Sequence, residues 1–270
     1  MSATADRAAQ FHRFHDDGVL LLANGWDAGS ARLIESLGAK ALATTSAGVA
    51  WAQGYADGDR LPAQRLIDVA ASIARAIRIP LSVDVEGGYS DDPAQVADTV
   101  AALIDIGAVG INLEDGGAGP ERLCAKIERV KTAAARLGVP LYLNARTDVY
   151  LRGLAAEGER VEATLARAAR YREAGADGLF VPGLTAEHEV RAIAAGCDLP
   201  LNLLARPALP PAAELQGWGV RRLSAGSDLA QSAYARLADL AGGFLGDGDS
   251  RPLQARAMDY GRLNALFDFA

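Results

Sequence analysis

Histidine, cysteine and methionine are all scarce in this chain, with three, two and two copies among 270 residues. Cys124 and Cys197 lie far apart, and neither has a Cys or His partner at metal spacing. That excludes a disulfide framework and a zinc site of thiolate or imidazole ligands. Long apolar runs are missing too, and the first ten residues are polar, with Asp6 and Arg7 where a signal peptide would be greasy. No basic cluster is present: 34 acidic residues outweigh 27 basic ones, for a net charge of −7. Such a surface repels nucleic acid and anionic membrane. The expectation is a cytoplasmic protein with reduced thiols whose partner is a small molecule.

What the chain does have is rhythm. Half of its residues are apolar, and short β-rich runs alternate with longer helical patterns. Strands are expected at 19–24, 41–45, 81–86, 109–114, 141–146, 178–182, 201–204 and 222–224. Helices are expected between and after them, at 28–37, 62–77, 93–106, 120–137, 161–174, 186–195, 212–218 and 229–241. Gly38, Gly107, Gly138, Gly175 and Gly196 close helical runs, and Pro80, Pro140 and Pro200 open the strands that follow. Eight βα units with continuous apolar strands predict a (β/α)8 TIM-type barrel over residues 1–242. A linker rich in glycine and aspartate then leads into a C-terminal helical extension within 243–270, packed on its own barrel or on a neighbouring subunit. The alternative, a doubly wound open sheet, wants a glycine-rich phosphate turn after its first strand, which Asn24-Gly25-Trp26-Asp27 is not.

Chemistry in such a barrel sits at the carboxyl ends of the strands, and those ends are polar here. Thr45, Ser46 and Ala47 follow the second strand, and Asp57 lies on the loop beyond. Asp84 and Glu86 end the third strand; two residues apart, they are expected to share one strand face. Glu114 and Asp115 end the fourth, Asn144, Arg146 and Asp148 the fifth, and Asn202 belongs to the seventh. Four carboxylates on adjacent elements repel one another unless a cation lies between them. Oxygen donors without His or Cys favour Mg²⁺, with Mn²⁺ as the alternative, over zinc. Arg146 suits a substrate carboxylate, or else an internal ion pair with Glu114 or Asp84. A metal beside an arginine describes a site for a 2-oxo acid, whose carboxylate and keto oxygens chelate the ion while an enolate forms.

The segments Thr44-Thr45-Ser46-Ala47-Gly48-Val49, Tyr55-Ala56-Asp57-Gly58, Ser82 to Tyr89, Ile111 to Asp115 and Asn144-Ala145-Arg146-Thr147 together resemble the isocitrate lyase/phosphoenolpyruvate mutase superfamily, in order and across most of the chain, from about Phe11 to Ala241. The resemblance implies a Mg²⁺-dependent barrel that makes or breaks a carbon-carbon or carbon-phosphorus bond next to a metal-stabilised enolate. It implies Asp84 as the direct metal ligand, with Asp57, Glu86 and Glu114 holding the metal's waters. Asp57, Glu114 and Arg146 become the catalytic set; Thr45, Ser46, Ala47, Asp84, Arg146 and Asn202 bind substrate. It also implies a homodimer or homotetramer. The chain departs from the pattern after Asp115: Gly116 to Arg122 is short and lacks the cysteine or lysine of the family's gating loop, and Gly183 stands where the lyases carry a glutamate. The expected activity is a carbon-carbon lyase acting on a small 2-oxo or 2-hydroxy di- or tricarboxylate. Carbon-phosphorus mutase or hydrolase chemistry and a non-catalytic 2-oxo acid binding barrel are the alternatives. His12, His15 and His188 are expected on the surface, Cys124 as a buried helical thiol, and Ser30 in a structural helix turn; Trp51 and Tyr55 wall the pocket or simply pack, and Asp148 orients Arg146 or caps the next segment.

Overall fold

The computed structural model describes residues 3–268. Phe269, within the expected C-terminal segment, lies outside them, as do the outermost residues of the two expected domain spans. Among the described residues nine parallel strands form a nearly closed TIM-type barrel: β1 (Leu20–Leu22), β2 (Asn24–Gly25), β3 (Leu42–Thr44), β4 (Leu81–Asp84), β5 (Ala108–Glu114), β6 (Tyr142–Arg146), β7 (Gly178–Val181), β8 (Leu201–Leu204) and β9 (Val220–Ser224). β1 pairs with β9, whereas β2 pairs with β3. The two are halves of one stave, interrupted at Ala23, so the nine strands occupy the eight expected positions and the ends of the sheet meet through that stave. Both faces of β4, β5 and β7 are buried up to their carboxyl ends, which explains why these strands read as largely apolar instead of alternating.

Helices pack outside the strands by the usual amphipathic logic. In Pro93–Asp105 the buried residues are Val96, Ala97, Val100, Leu103 and Ile104, one face of a 3.6-residue repeat. Asp92 caps that helix by accepting from the Ala94 amide, and Pro93 sits at its first turn, where no amide is needed. Gly175 ends the helix Arg160–Ala174 at φ 108°, a left-handed conformation that a side chain would resist.

Three elements depart from the expected pattern. A helix at Ala3–Arg13, followed by His15, plugs the amino end of the barrel: Phe11 packs edge-on against Tyr142, and His12 Nε2 lies 2.9 Å from the Pro140 carbonyl. His15 is therefore only 3% exposed and stacks on Tyr142, not a surface residue, because its helix caps a barrel end that would otherwise be open. Ser46–Ala52 is helical where a loop was expected. The last barrel helix, Asp228–Asp247, runs past 241 because Gly242 and Gly243 do not break it, and short helices follow at Arg251–Gln254 and Tyr260–Ala265. This tail reaches the barrel, where the Leu266 carbonyl accepts from Arg32 Nε at 2.7 Å. No helix among the described residues is long and apolar enough to cross a membrane.

Candidate active site

β4 carries Asp84 to the barrel mouth. Its backbone amide donates to Thr44 Oγ1 at 2.8 Å, while its carboxylate receives only two distant amides, Ser46 and Glu86, each at 3.4 Å. Bonds that long leave the Asp84 lone pairs free for another partner.

Beyond Asp84 the regular strand ends, although the Val85 amide still donates to the Asn112 carbonyl at 3.1 Å and the Glu86 carbonyl accepts from the Glu114 amide at 2.9 Å. The left-handed backbone at Glu86 is what corrects the expected shared strand face. Glu86 sits at φ 50° and Tyr89 at φ 58°, a region that residues with side chains enter only when their surroundings hold them there. Glu86 meets Asp84 through this turn, and its carboxylate is already engaged. Oε2 accepts from the amides of Gly58, at 2.9 Å, and Asp59, and Oε1 accepts from Tyr89 Oη at 2.8 Å. Glu86 thereby staples the loop that carries Asp57 to the mouth. Asp57 itself is exposed, although its charge acts on both Asp84 and Glu86. Lys126 Nζ, donating to the Gly87 carbonyl at 2.6 Å, secures the same turn from below.

Glu114 ends β5 opposite Arg146 on β6, and Arg146 Nη1 meets Glu114 Oε2 at 2.6 Å. The internal ion pair foreseen for Arg146 thus exists. Its other edge is held by Asp148, with Nε at 2.7 Å and Nη2 at 3.1 Å. Asp148 has no exposed side-chain surface, and it also accepts from Arg152 Nε at 2.9 Å. Its own amide donates to Asp115 Oδ1 at 2.9 Å, and Asp115 Oδ2 takes Arg167 and Tyr171, each at 2.6 Å. Asp148 orients Arg146 and also holds the start of the following segment, where its carbonyl accepts from the Arg152 amide; Asp115 braces it.

The other expected residues fall at different depths. Thr45 and Ala47 are buried beside the Ser46 amide that faces Asp84. Asn202 is wholly buried below the mouth, where its Oδ1 accepts from Asn144 Nδ2 and Ser224 Oγ. Trp51 and Tyr55 are more than a third exposed, and Trp51 packs edge-on against Tyr234. Cys124 is half-buried on the helix Pro120–Arg136, with burial raising its thiol pKa. The capping box of Asp27 and Ser30 confirms a structural role for that turn. Asp59, Tyr89, Lys126 and Arg167 were not foreseen as parts of the site. The contacts of Asp59, Lys126 and Arg167 span 30 to 52 residues of sequence, so local pattern carries no sign of them. The Tyr89 hydroxyl, by contrast, meets Glu86 only three residues away, through a left-handed turn.

Electrostatics decide what the mouth can hold. Burial raises the pKa of Asp84 and Glu86, and it lifts Glu114 to about 8 against the pull of Arg146, with the Asp84 charge adding to the rise. For Arg146, burial works against the charge, but Glu114 and Asp148 outweigh it and keep the guanidinium protonated. Among the described residues no three acids stand together at ligating distance. The donor set still fits a hard divalent cation: oxygen atoms alone, with Asp84, Glu86 and Glu114 withdrawn from water and Asp57 exposed beside them. Outside Glu114 the short loop after β5 leaves a cleft of about 430 Å³, lined by Asp59, Tyr89, Gly117, Arg122 and Arg152.

Comparison with known proteins places this geometry among relatives. The chain is 37% identical over 262 residues to an uncharacterised protein of Mycobacterium tuberculosis, covering 93% of this chain and 96% of the relative. It is 33% identical over 193 residues to an oxaloacetate decarboxylase of Bradyrhizobium, covering 67% and 65% of the two chains. A structure from Burkholderia cenocepacia J2315, provisionally described as a phosphonomutase, is 41% identical, with a TM-score of 0.83 over 87% of this chain and 99% of that one. The fold alone recurs, at 20% identity and a TM-score of 0.84, in a phosphonopyruvate hydrolase solved with oxalate and Mg²⁺, over 96% of this chain and 94% of that one. The profile of the phosphoenolpyruvate phosphomutase family matches residues 11–245. The chain therefore belongs to that family, within the superfamily of isocitrate lyases and phosphoenolpyruvate mutases.

Proposed function

We propose that this protein is a Mg²⁺-dependent lyase that cleaves or forms a carbon-carbon bond in a small 2-oxo or 2-hydroxy di- or tricarboxylic acid, through the enolate of a 2-oxo acid. The observation that carries the reading is Asp84, a carboxylate with unspent lone pairs, beside a Glu114–Arg146 pair held in place by Asp148. Asp84 would bind the metal directly, with Glu114 and Asp57 holding its waters. Glu86 supports them by fixing the Asp57 loop. Bound there, Mg²⁺ supplies a Lewis acid for the carboxylate and keto oxygens of the substrate. Arg146 then has to trade its Nη1 contact with Glu114 for a substrate carboxylate. Asp148 keeps the guanidinium plane fixed during that exchange, which limits the entropy lost on binding. Ser46 and Ala47 present backbone at the oxo-acid end, and Asn202 supports the site from below through Asn144. The cytoplasm suits the two unpaired thiols.

Turnover of oxaloacetate, isocitrate, methylisocitrate and phosphonopyruvate, measured with Mg²⁺ and with chelator, tests the reading. Metal-dependent cleavage of a carboxylate substrate is expected, with Asp84→Ala lowering it by about 100-fold or more, the scale of a lost electrostatic contact to the transition state. No turnover on the panel, together with no oxalate binding by calorimetry, would overturn it. A second reading, carbon-phosphorus chemistry, is favoured by the 41% identical relative. Phosphorus NMR of phosphonopyruvate separates the two.

We further propose a barrel ending near 242 and an extension that serves assembly of a homodimer or homotetramer. Leu21, on β1, is 56% exposed and opens onto an apolar groove of about 860 Å³ lined by Phe14, Leu20, Trp26, Leu33 and Leu37. The helix Asp228–Asp247 buries only Ala230 and leaves Leu237, Phe244 and Leu245 in solvent. A barrel strand and a terminal helix that both expose their apolar faces are what self-association would cover.

A further inference from the structure

Beneath the mouth, the barrel axis holds a buried cation with no carboxylate of the described residues in contact with it, the charge of Asp84 acting on it only from beyond salt-bridge distance. Arg222, on β9, is 1% exposed and is among the largest fully buried side chains. Its Nη2 donates to Asn112 Oδ1 at 3.1 Å, whereas Nε and Nη1 meet no acceptor. Among the described residues no carboxylate forms a salt bridge with it. A guanidinium buried in this state is costly, and proteins retain one when something supplies the missing acceptors and charge.

The groups around Arg222 share its deficit. Its Cζ lies 6.0 Å from the centre of the Phe11 ring, which packs against Tyr142, and His15 stacks on Tyr142 at 4.1 Å. Ser82 Oγ joins them, since a Cβ on Gly110 would come within 2.8 Å of Phe11 Cε1 and 3.1 Å of Ser82 Oγ. Tyr142 Oη and Asn144 Oδ1 crowd the same side of Gly178. Tyr142 Oη, Ser82 Oγ, Asn144 Oδ1 and His15 Nε2 all lack partners. His15 is neutral, because burial and Arg222 lower its pKa to about 3, and with Nδ1 on the Phe11 carbonyl its Nε2 only accepts. Arg222 Nε and Nη1 can only donate, and the unpartnered groups near them are Asn144 Oδ1 and His15 Nε2, which accept, and the Tyr142 and Ser82 hydroxyls, which donate or accept. Water would meet hydrogen bonds but leave the charge.

We propose that Arg222, Tyr142 and Ser82 hold a small monovalent inorganic anion, a halide such as chloride, inside the barrel under the active-site mouth. A halide accepts from several donors without directional demand and would bring a negative charge into contact with the guanidinium. Phe11, Asn112, Asn144 and Asn202 are all buried around this region, an enclosure that suits a compact ion better than a carboxylate metabolite.

The test uses the whole chain. In solution, the thermal midpoint is followed while chloride replaces gluconate at fixed ionic strength; the expected result is a saturable rise in the wild type. Arg222→Met should abolish that rise. Tyr142→Phe, the milder variant should Arg222→Met fail to fold, should weaken chloride about tenfold, the loss of one bond to an ion. Crystals soaked in bromide should show an anomalous peak touching Arg222 Nε and Nη1. A midpoint indifferent to chloride in the wild type, a chloride effect that persists unchanged in both variants, or a bromide-free interior occupied by water alone would overturn the proposal.

Discussion

Glu114 shows how burial makes one side chain sensitive to both metal and pH. Its pKa lies near 8 in the metal-free protein against 4.5 for an ordinary glutamate, chiefly because it is withdrawn from water. The folded state therefore binds this proton more tightly than the unfolded chain does. The stability it contributes is fully present below about pH 4.5 and is lost as pH rises towards 8, so the metal-free protein should lose stability across that window. A divalent cation must displace the same proton to recruit the carboxylate. Mg²⁺ affinity is expected to climb roughly tenfold per pH unit below about 8 and to level off above it. Calorimetry in buffers of different ionisation heat should register about one proton released per metal at pH 7. An affinity that stays flat between pH 6 and 9 would remove Glu114 from the metal's surroundings.

At the scale of elements, the active site depends on a turn more than on a strand. After β4 the Glu86 to Tyr89 turn is fixed by the Gly88 amide on the Val85 carbonyl at 2.7 Å, by Asp59 on the Tyr89 amide at 3.2 Å, and by Lys126. Gly88 has φ 95°, and a Cβ there would lie 2.8 Å from both Val96 methyl groups. Gly88→Ala is therefore expected to cost about 1–3 kcal/mol and to lower the melting temperature by several degrees. Because Glu86 and the Asp57 loop move with the turn, metal affinity should fall as well, which equilibrium dialysis would show; unchanged stability and affinity would contradict the packing described. The strand and helix positions were legible in advance because period and punctuation are local properties of sequence. The turn was not: a left-handed Glu86 contradicts its own local preference, and contacts from Asp59 and Lys126 impose it.

For the whole molecule, apolar side chains are exposed in several places, among them Leu151 and Tyr260, and two stretches belong to the first strand and last helix of the barrel: the groove outside β1 and the helix Asp228–Asp247. If self-association covers them, a charge in either should act on assembly while the mouth stays intact. Leu21→Arg is expected to weaken association by about tenfold or more, ~1.4 kcal/mol, seen by sedimentation as a shift towards monomer at micromolar concentration. A sedimentation profile identical to that of the wild type would assign the groove another role. Barrel class, the order of units and the acids and arginine near the strand ends followed from the sequence alone, since they rest on spacing, composition and family resemblance. The tertiary structure decided the rest. It ended β4 at Asp84, engaged Glu86 with the Asp57 loop, buried His15 under the barrel, placed Asn202 below the mouth and gave Asp148 the task of aiming Arg146. These outcomes depend on which distant atoms meet and how much water they lose, and neither quantity is a local property of the chain.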